Sequence, residues 1–486
     1  MCQSVLPEGN CVFSVFSRAG RRRRGAARLA AATLMSGLVV AGAISGTGPA
    51  FADDGTKEPG GASATIGGLE TYGAAVIHDG GQDEQVSAGL FRMTVEGGGM
   101  LQTYCIDIHN PTQTDAKYQE TPWSGTSLSG NADAGRIRWI LQNSYPQVND
   151  LAALARKAGA GSLTEQDAAA GTQVAIWRYS DKADVDAVSP AAEKLADYLH
   201  KSAEGLAEPG ASLTLSPGAV SGRPGERLGP VTVHTNADAV SVTPPAEAAA
   251  DGVTVVDKDG KPVTAAADGS QIFFDVPEDA SAGSAALTVQ ASTTVPVGRA
   301  FTSETRSQTQ ILAGSSESMV SATATANWAK AGAVPALSAR KNCAKSGVDI
   351  TAVNQGDKPF TFTLMGEEYT TAAGASRTVT IPLQEDQAYD FTIKGPHGFE
   401  KRLRGVLDCR TVADAAAASA DDGLTTQTTT QPSPASVGGT GAGQDLAETG
   451  SSNATPVIAG IAIVLVLIGG ASVFLVRKKK TPTDGE

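Results

Sequence analysis

The stretch "SLTEQDAAAGTQVAIWRYSD", residues 162–181, decides how this chain is read. Thr164 stands three residues before Asp167, an N-cap signature of the capping-box kind with Asp in place of Glu or Gln. The spacing predicts a helix running to about Tyr179. On that helix the neighbours of Gln173 are Ala169, Ala170, Ile176 and Trp177, all apolar. A carboxamide buried without full hydrogen bonding costs about 1–3 kcal/mol. Gln173 is therefore either satisfied by a backbone group or present for its chemistry.

The two ends of the chain say where it works. Residues 1–52 carry a basic run at Arg21–Arg24, an apolar stretch and the small-x-small sequence Ala50-Phe51-Ala52. These features predict a secretory signal peptide cleaved after Ala52, with the general route favoured over the twin-arginine one. The leader before Arg21 is long, so the true start codon is open. Residues 456–476 form an uncharged run of 21 residues, about 31 Å as a helix and enough for a bilayer core. A basic tail, "RKKK", follows at once and marks the cytoplasmic side. Just upstream is "LAETG": Leu446, Ala447, Glu448, Thr449 and Gly450.

That arrangement resembles the sortase sorting signal of Gram-positive bacteria, in the LAxTG form common in high-GC actinobacteria. The resemblance implies cleavage by sortase between Thr449 and Gly450. Thr449 would then be joined to peptidoglycan, with the membrane helix (456–476) only a transient anchor. The chain remaining between the two cleavages, 53–449, carries a net charge of −20. So acidic a protein repels phosphate backbones, and nucleic acid is excluded as a partner.

Of five cysteines, Cys2 and Cys11 leave with the leader. Cys343 and Cys409 bracket one strand-rich segment and are expected to form a disulfide that closes it. Cys105 is left over, either an inert buried thiol or a functional one.

The predicted architecture is multidomain. Residues 63–205 read as an α+β domain. Its strands are expected in "AGLFRMTVEG" and "LQTYCIDIHN", its helices around 131–145, 150–159, 164–179 and 189–205. Two all-β stalk modules follow, at 210–330 and 335–412. The first is read as an Ig-like sandwich, with a hairpin at Asp259-Gly260. Residues 413–445, rich in Ala, Thr, Ser, Gly and Gln, are expected to be a disordered wall-spanning linker.

If "YCIDIHN" were strand throughout, Cys105, Asp107 and His109 would share one face and Tyr104, Ile106 and Ile108 the other. "YCID" followed by "TQVAIW" resembles the thioester (TQxA) domains of Gram-positive surface adhesins. The likeness covers roughly residues 63–205. It implies that Cys105 Sγ attacks the side-chain carbonyl of Gln173 and expels ammonia. Tyr104, Asp107, Thr172, Ala175 and Trp177 would surround the bond. A target bearing an amine or hydroxyl nucleophile would open it and become covalently attached. The event is single-turnover rather than enzymatic. No metal or cofactor is expected. Asp107 and His109 are candidates for assisting proton transfer, although structural hydrogen bonding and an ordinary loop position are the favoured readings.

Two other classes stay open on the residues alone. A cysteine hydrolase or transpeptidase would use Cys105, His109 and Asp107, but parallel side chains on one strand do not converge as such groups must. A non-covalent wall protein would leave Cys105 as inert core.

Overall fold

The computed structural model describes residues 60–79, 81–244 and 252–410. The expected signal peptide, linker, sorting motif, apolar span and basic tail lie outside the described residues. Among the described residues no helix is long and apolar enough to cross a membrane.

The first half of the described chain runs β1 (Ser63–Asp79), β2 (Gln82–Val95), β3 (Met100–Cys105), β4 (Lys117–Thr121), α1 (Ala134–Asn143), α2 (Leu151–Ala158), α3 (Glu165–Ser180), β5 (Val185–Ala187) and α4 (Pro190–Ser202). β1 and β2 form one long antiparallel hairpin with two register shifts. Gly89 leaves no room for a side chain, because a Cβ there would stand 2.2 Å from the Thr71 carbonyl oxygen. The strand expected through residue 110 ends at Cys105, and residues 106–109 leave the sheet.

The helices follow their local signals. Thr164 and Asp167 complete a capping box on α3, each side chain bonding the other's backbone N–H. Asp150 caps α2, and Gly159 closes it in the left-handed conformation. Ser189 and Pro190 start α4 as expected, without a side-chain capping bond. α3 is buried on nearly all sides. Gly171 lets α4 close on it, since a Cβ there would meet the Ala192 carbonyl oxygen at 2.4 Å.

The sheet does not close within 63–205. Its order is β2, β3, Gln310–Ser315, Ala300–Ser303, β4, β1, and β1 pairs again with β2. Six strands thus form a closed ring, which removes open edges. β5 adds at the far end of β1. Two of the six strands come from the segment read as the first stalk module.

The remainder of that segment forms a four-stranded and a five-stranded sheet between Leu213 and Trp328. The turn at Asp259-Gly260 is present, with Gly260 at φ +81°. Its immediate flanks pair as a short hairpin, with an antiparallel bridge between Val256 and Pro262 and the Val263 N–H donating to the Val255 carbonyl; beyond it Thr254–Val256 pairs with Gln271–Asp275, and Ala265–Ala266 with Val240–Thr243. One buried apolar cluster runs from Ala62 to Trp328. Residues 210–330 are therefore not a separate module, because they share the core and the sheet of the head.

A buried ion pair ties the two together. Arg299 donates from Nε to Glu120 Oε1 at 2.9 Å and from Nη1 to Glu208 at 2.7 Å. Glu120 also accepts from the backbone N–H groups of Ala62 and Ser212.

Residues 333–410 have a core of their own. A three-stranded sheet (Pro335–Asn342, Gly347–Asn354, Ala375–Pro382) packs with two hairpins, Phe360–Leu364 with Glu367–Thr371 and Ala388–Lys394 with Glu400–Val406. The Cys343–Cys409 disulfide joins its first and last parts, as the sequence predicts.

Candidate functional site

Cys105 is the last residue of β3, and Gln173 lies mid-way along α3, 68 positions later. The fold brings them together in the dry interior, at 1 % and 0 % exposure. The carboxamide of Gln173 is held twice by the backbone of Cys105. The Cys105 N–H donates to Oε1 at 3.1 Å, and Nε2 donates to the Cys105 carbonyl at 2.8 Å. Gln173 is thus satisfied by a backbone group, and that group belongs to the one free cysteine among the described residues.

The sulfur has two neighbours. The indole Nε1–H of Trp177 donates to it at 3.0 Å, and the thiol faces the Asp107 carbonyl oxygen at 3.7 Å. Burial pushes the Cys105 thiol well up, and the nearby carboxyl groups of Asp181 and Asp107 act in the same direction. The bonds from Trp177 and to Asp107 act the other way without prevailing. Cys105 is therefore a protonated thiol rather than a ready thiolate.

Of the surroundings named from the sequence, Trp177 and Asp107 reach the sulfur itself. Tyr104 is fully buried, its hydroxyl donating to the Tyr145 carbonyl; burial pushes its pKa far up. Thr172 bonds Ser144 and the Ala168 carbonyl, which fixes the turn of α3 before Gln173. Ala175 is buried on α3. His109 is partly exposed on the loop after β3. Because 106–109 is a loop, the expected parallel display of Cys105, Asp107 and His109 does not exist. The argument that those three point in parallel falls with it.

The chain also uses residues that the sequence did not single out. Asp181, at the end of α3, accepts from the Ile108 N–H at 3.0 Å and the Ser180 hydroxyl at 2.6 Å, holding the loop against the helix. Gln308 donates to the Asp107 carbonyl at 2.6 Å and accepts from Thr112. The Thr309 carbonyl takes the Ile106 N–H, and its hydroxyl donates to Asp408 of the C-terminal module at 2.7 Å. Gln308 and Thr309 lie on the segment joining Ala300–Ser303 to Gln310–Ser315, whose sequence, "SETRSQTQ", carries no recognisable motif. Among the described residues no group of acidic, histidine or cysteine side chains could hold a metal ion.

A carboxamide and a thiol fixed side by side without water can exchange ammonia for sulfur. The Cys105 N–H already polarises the carbonyl that would be attacked, and the Trp177 N–H faces the sulfur that would later leave.

Among solved structures, the Bacillus anthracis TIE protein is 14 % identical, over 72 % of this chain and 81 % of that one, with a TM-score of 0.25. The thioester domain of the Enterococcus faecium TIE86 protein is 18 % identical, over 56 % of this chain and 97 % of that one, with a TM-score of 0.26. Scores this low do not define a shared overall fold. No curated protein matches the chain. Residues 333–406 match the family model of the bacterial phospholipase C C-terminal domain. Residues 102–205, which contain both Cys105 and Gln173, match the family model of the thioester domain.

Proposed function

We propose that this chain is a cell-wall-anchored adhesin whose Cys105 and Gln173 form an internal thioester that captures a target covalently. The observation that carries the reading is the double clamp of the Gln173 carboxamide on the Cys105 backbone, beside a sulfur already facing an indole N–H. In the forming step the Sγ–C bond is made, the C–N bond breaks, and ammonia leaves with the thiol proton. A nucleophile on the target, an amine or a hydroxyl, then attacks the Gln173 carbonyl carbon and Cys105 departs. An amine remains joined through an amide. The protein is consumed in one turnover and is not an enzyme.

Burial suits this chemistry, because water at about 55 M would hydrolyse an exposed thioester. Sortase acting at Thr449 would attach the protein to peptidoglycan after export, and the apolar run at 456–476 would hold it in the membrane until then.

The test is the intact mass of residues 53–449, before and after methylamine. A shorter piece ending near residue 205 would lack two strands of the ring. The expected mass is one ammonia below the sequence value, restored to it by Cys105→Ala or Gln173→Ala apart from the substitution itself. Methylamine should add to the wild-type chain and free one thiol. A chain at full sequence mass with a free thiol and an intact glutamine would refute the reading.

A further inference from the structure

Asp107 is almost wholly buried, at 1 % exposure. Its Oδ2 accepts from the Asn110 side-chain amide. Its Oδ1 is buried without a hydrogen-bond partner. An ionised carboxylate would not keep one oxygen orphaned in a dry interior, whereas a protonated one holds a donor in reserve for a group that passes through. The residue adjoins the reacting sulfur, since its own carbonyl oxygen stands 3.7 Å from Sγ.

The charges around it favour the protonated form. Burial has the largest effect, followed by Asp408 from the C-terminal module and Asp181 from the end of α3, with Asp386 beyond; only the Asn110 bond opposes them. The other titratable groups close by are the Cys105 thiol, the Tyr118 phenol and His109. Asp408 is itself pushed up by burial, against its bond from Thr309 and the charges of Lys341 and Arg306.

We propose that Asp107 is the proton carrier of the Cys105–Gln173 site, moving one proton between nitrogen and sulfur through Oδ1. The inference rests on the thioester reading above. In formation, the Sγ–C bond forms as Oδ1–H protonates the Gln173 nitrogen and the carboxylate so produced takes the thiol proton of Cys105. The C–N bond then breaks and ammonia leaves. In opening, the incoming amine bonds to the Gln173 carbonyl carbon and the C–S bond breaks. The sulfur takes its proton from Oδ1–H, and the carboxylate recovers one from the amine nitrogen. Asp107 ends each reaction as it began, and no other reactant is needed.

The experiment compares residues 53–449 of the wild type with Asp107→Asn and Asp107→Glu. It follows thioester content by intact mass and methylamine opening across pH, corrected for the free-base fraction of methylamine. Proton carriers contribute about 10²- to 10⁴-fold, so Asp107→Asn should slow opening by that order. It should also abolish the fall in corrected rate as pH rises through the Asp107 ionisation. Asp107→Glu should recover part of both. An Asn variant with wild-type rate and pH profile overturns the proposal, as does equal loss in Asn and Glu accompanied by a lowered Tm. If the Asn variant does not fold, a wild-type corrected rate that is flat with pH overturns it alone. Wild-type protein at full sequence mass removes the thioester and this role together, whereas a wild-type thioester with an unaffected Asn variant removes only the role.

Discussion

Trp177 and Gln173 lie four positions apart on one face of α3, and both reach Cys105: Trp177 through the sulfur at 3.0 Å, Gln173 through the backbone at 2.8 and 3.1 Å. In the proposed reaction, one helix face therefore addresses both the carbon to be attacked and the atom that would attack it.

Trp177→Phe keeps the apolar body of the side chain and removes only the N–H. A hydrogen bond to a charged partner contributes about 1.5–3 kcal/mol, and the departing sulfur of Cys105 carries charge. Opening by methylamine should slow by roughly ten- to a hundredfold, with thioester content preserved in the starting protein. Stopped-flow or timed mass measurements would read this, and an unchanged rate would show that the indole merely packs.

The Arg299–Glu120 pair should matter far more to stability than any surface pair. Both side chains are at most 5 % exposed, and removing one partner strands a buried charge, which costs about 3–5 kcal/mol. Arg299→Met should lower the unfolding free energy of the head, read from a denaturant titration, by that order. Substituting Arg92 or Glu70, a pair on the open surface of the β1–β2 hairpin, should change it by less than about 1 kcal/mol.

How much of this could be read from the sequence depends on how local the signal was. α3 was legible because Thr164, Asp167 and the apolar run all lie within one helix. Cys105 and Gln173 each stood out in their own surroundings, an odd cysteine and a polar side chain among alanines, and the resemblance of "YCID" and "TQVAIW" to thioester domains paired them. The closure of the ring was not legible. Ala300–Ser303 pairs with β4 across about 180 residues, and nothing in either segment names its partner. "CIDIHN" misled for a physical reason. Ile106 and Ile108 are buried in a loop whose N–H groups are taken by the Thr309 carbonyl and the Asp181 carboxylate, so an alternating pattern arises without a strand.

Asp107 gives the protein a pH signature. Its native carboxyl is raised well above the ordinary 3.8, so the native state keeps a proton that the unfolded chain releases above that value. Stability should then fall as pH rises from about 4 until the native group ionises. Asp107→Asn should make this slope shallower and raise stability at neutral pH by roughly 1–2 kcal/mol. Denaturant titrations at acidic and neutral pH would check it, and identical slopes in the two proteins would contradict it.

The disulfide should act on its own module alone. Cys343 and Cys409 are 66 residues apart, for which the loop-entropy relation gives about 4 kcal/mol. The Cys343→Ser/Cys409→Ser double variant should unfold its C-terminal module at lower denaturant. Under conditions where that module stays folded, the mass and methylamine reaction of the head should stay as they were.

The same bond also sets a load path. Cys409 stands one residue before the described chain ends at Arg410, and Cys343 directly follows the first strand of its module. If the chain is anchored beyond Arg410 as proposed, tension entering there would cross the sulfur bridge to Cys343 and pass on through Pro335–Asn342. The residues between the two cysteines lie off that line. Their strands, held only by hydrogen bonds and apolar packing, need not resist the pull, and a covalent bond bears the force in their place.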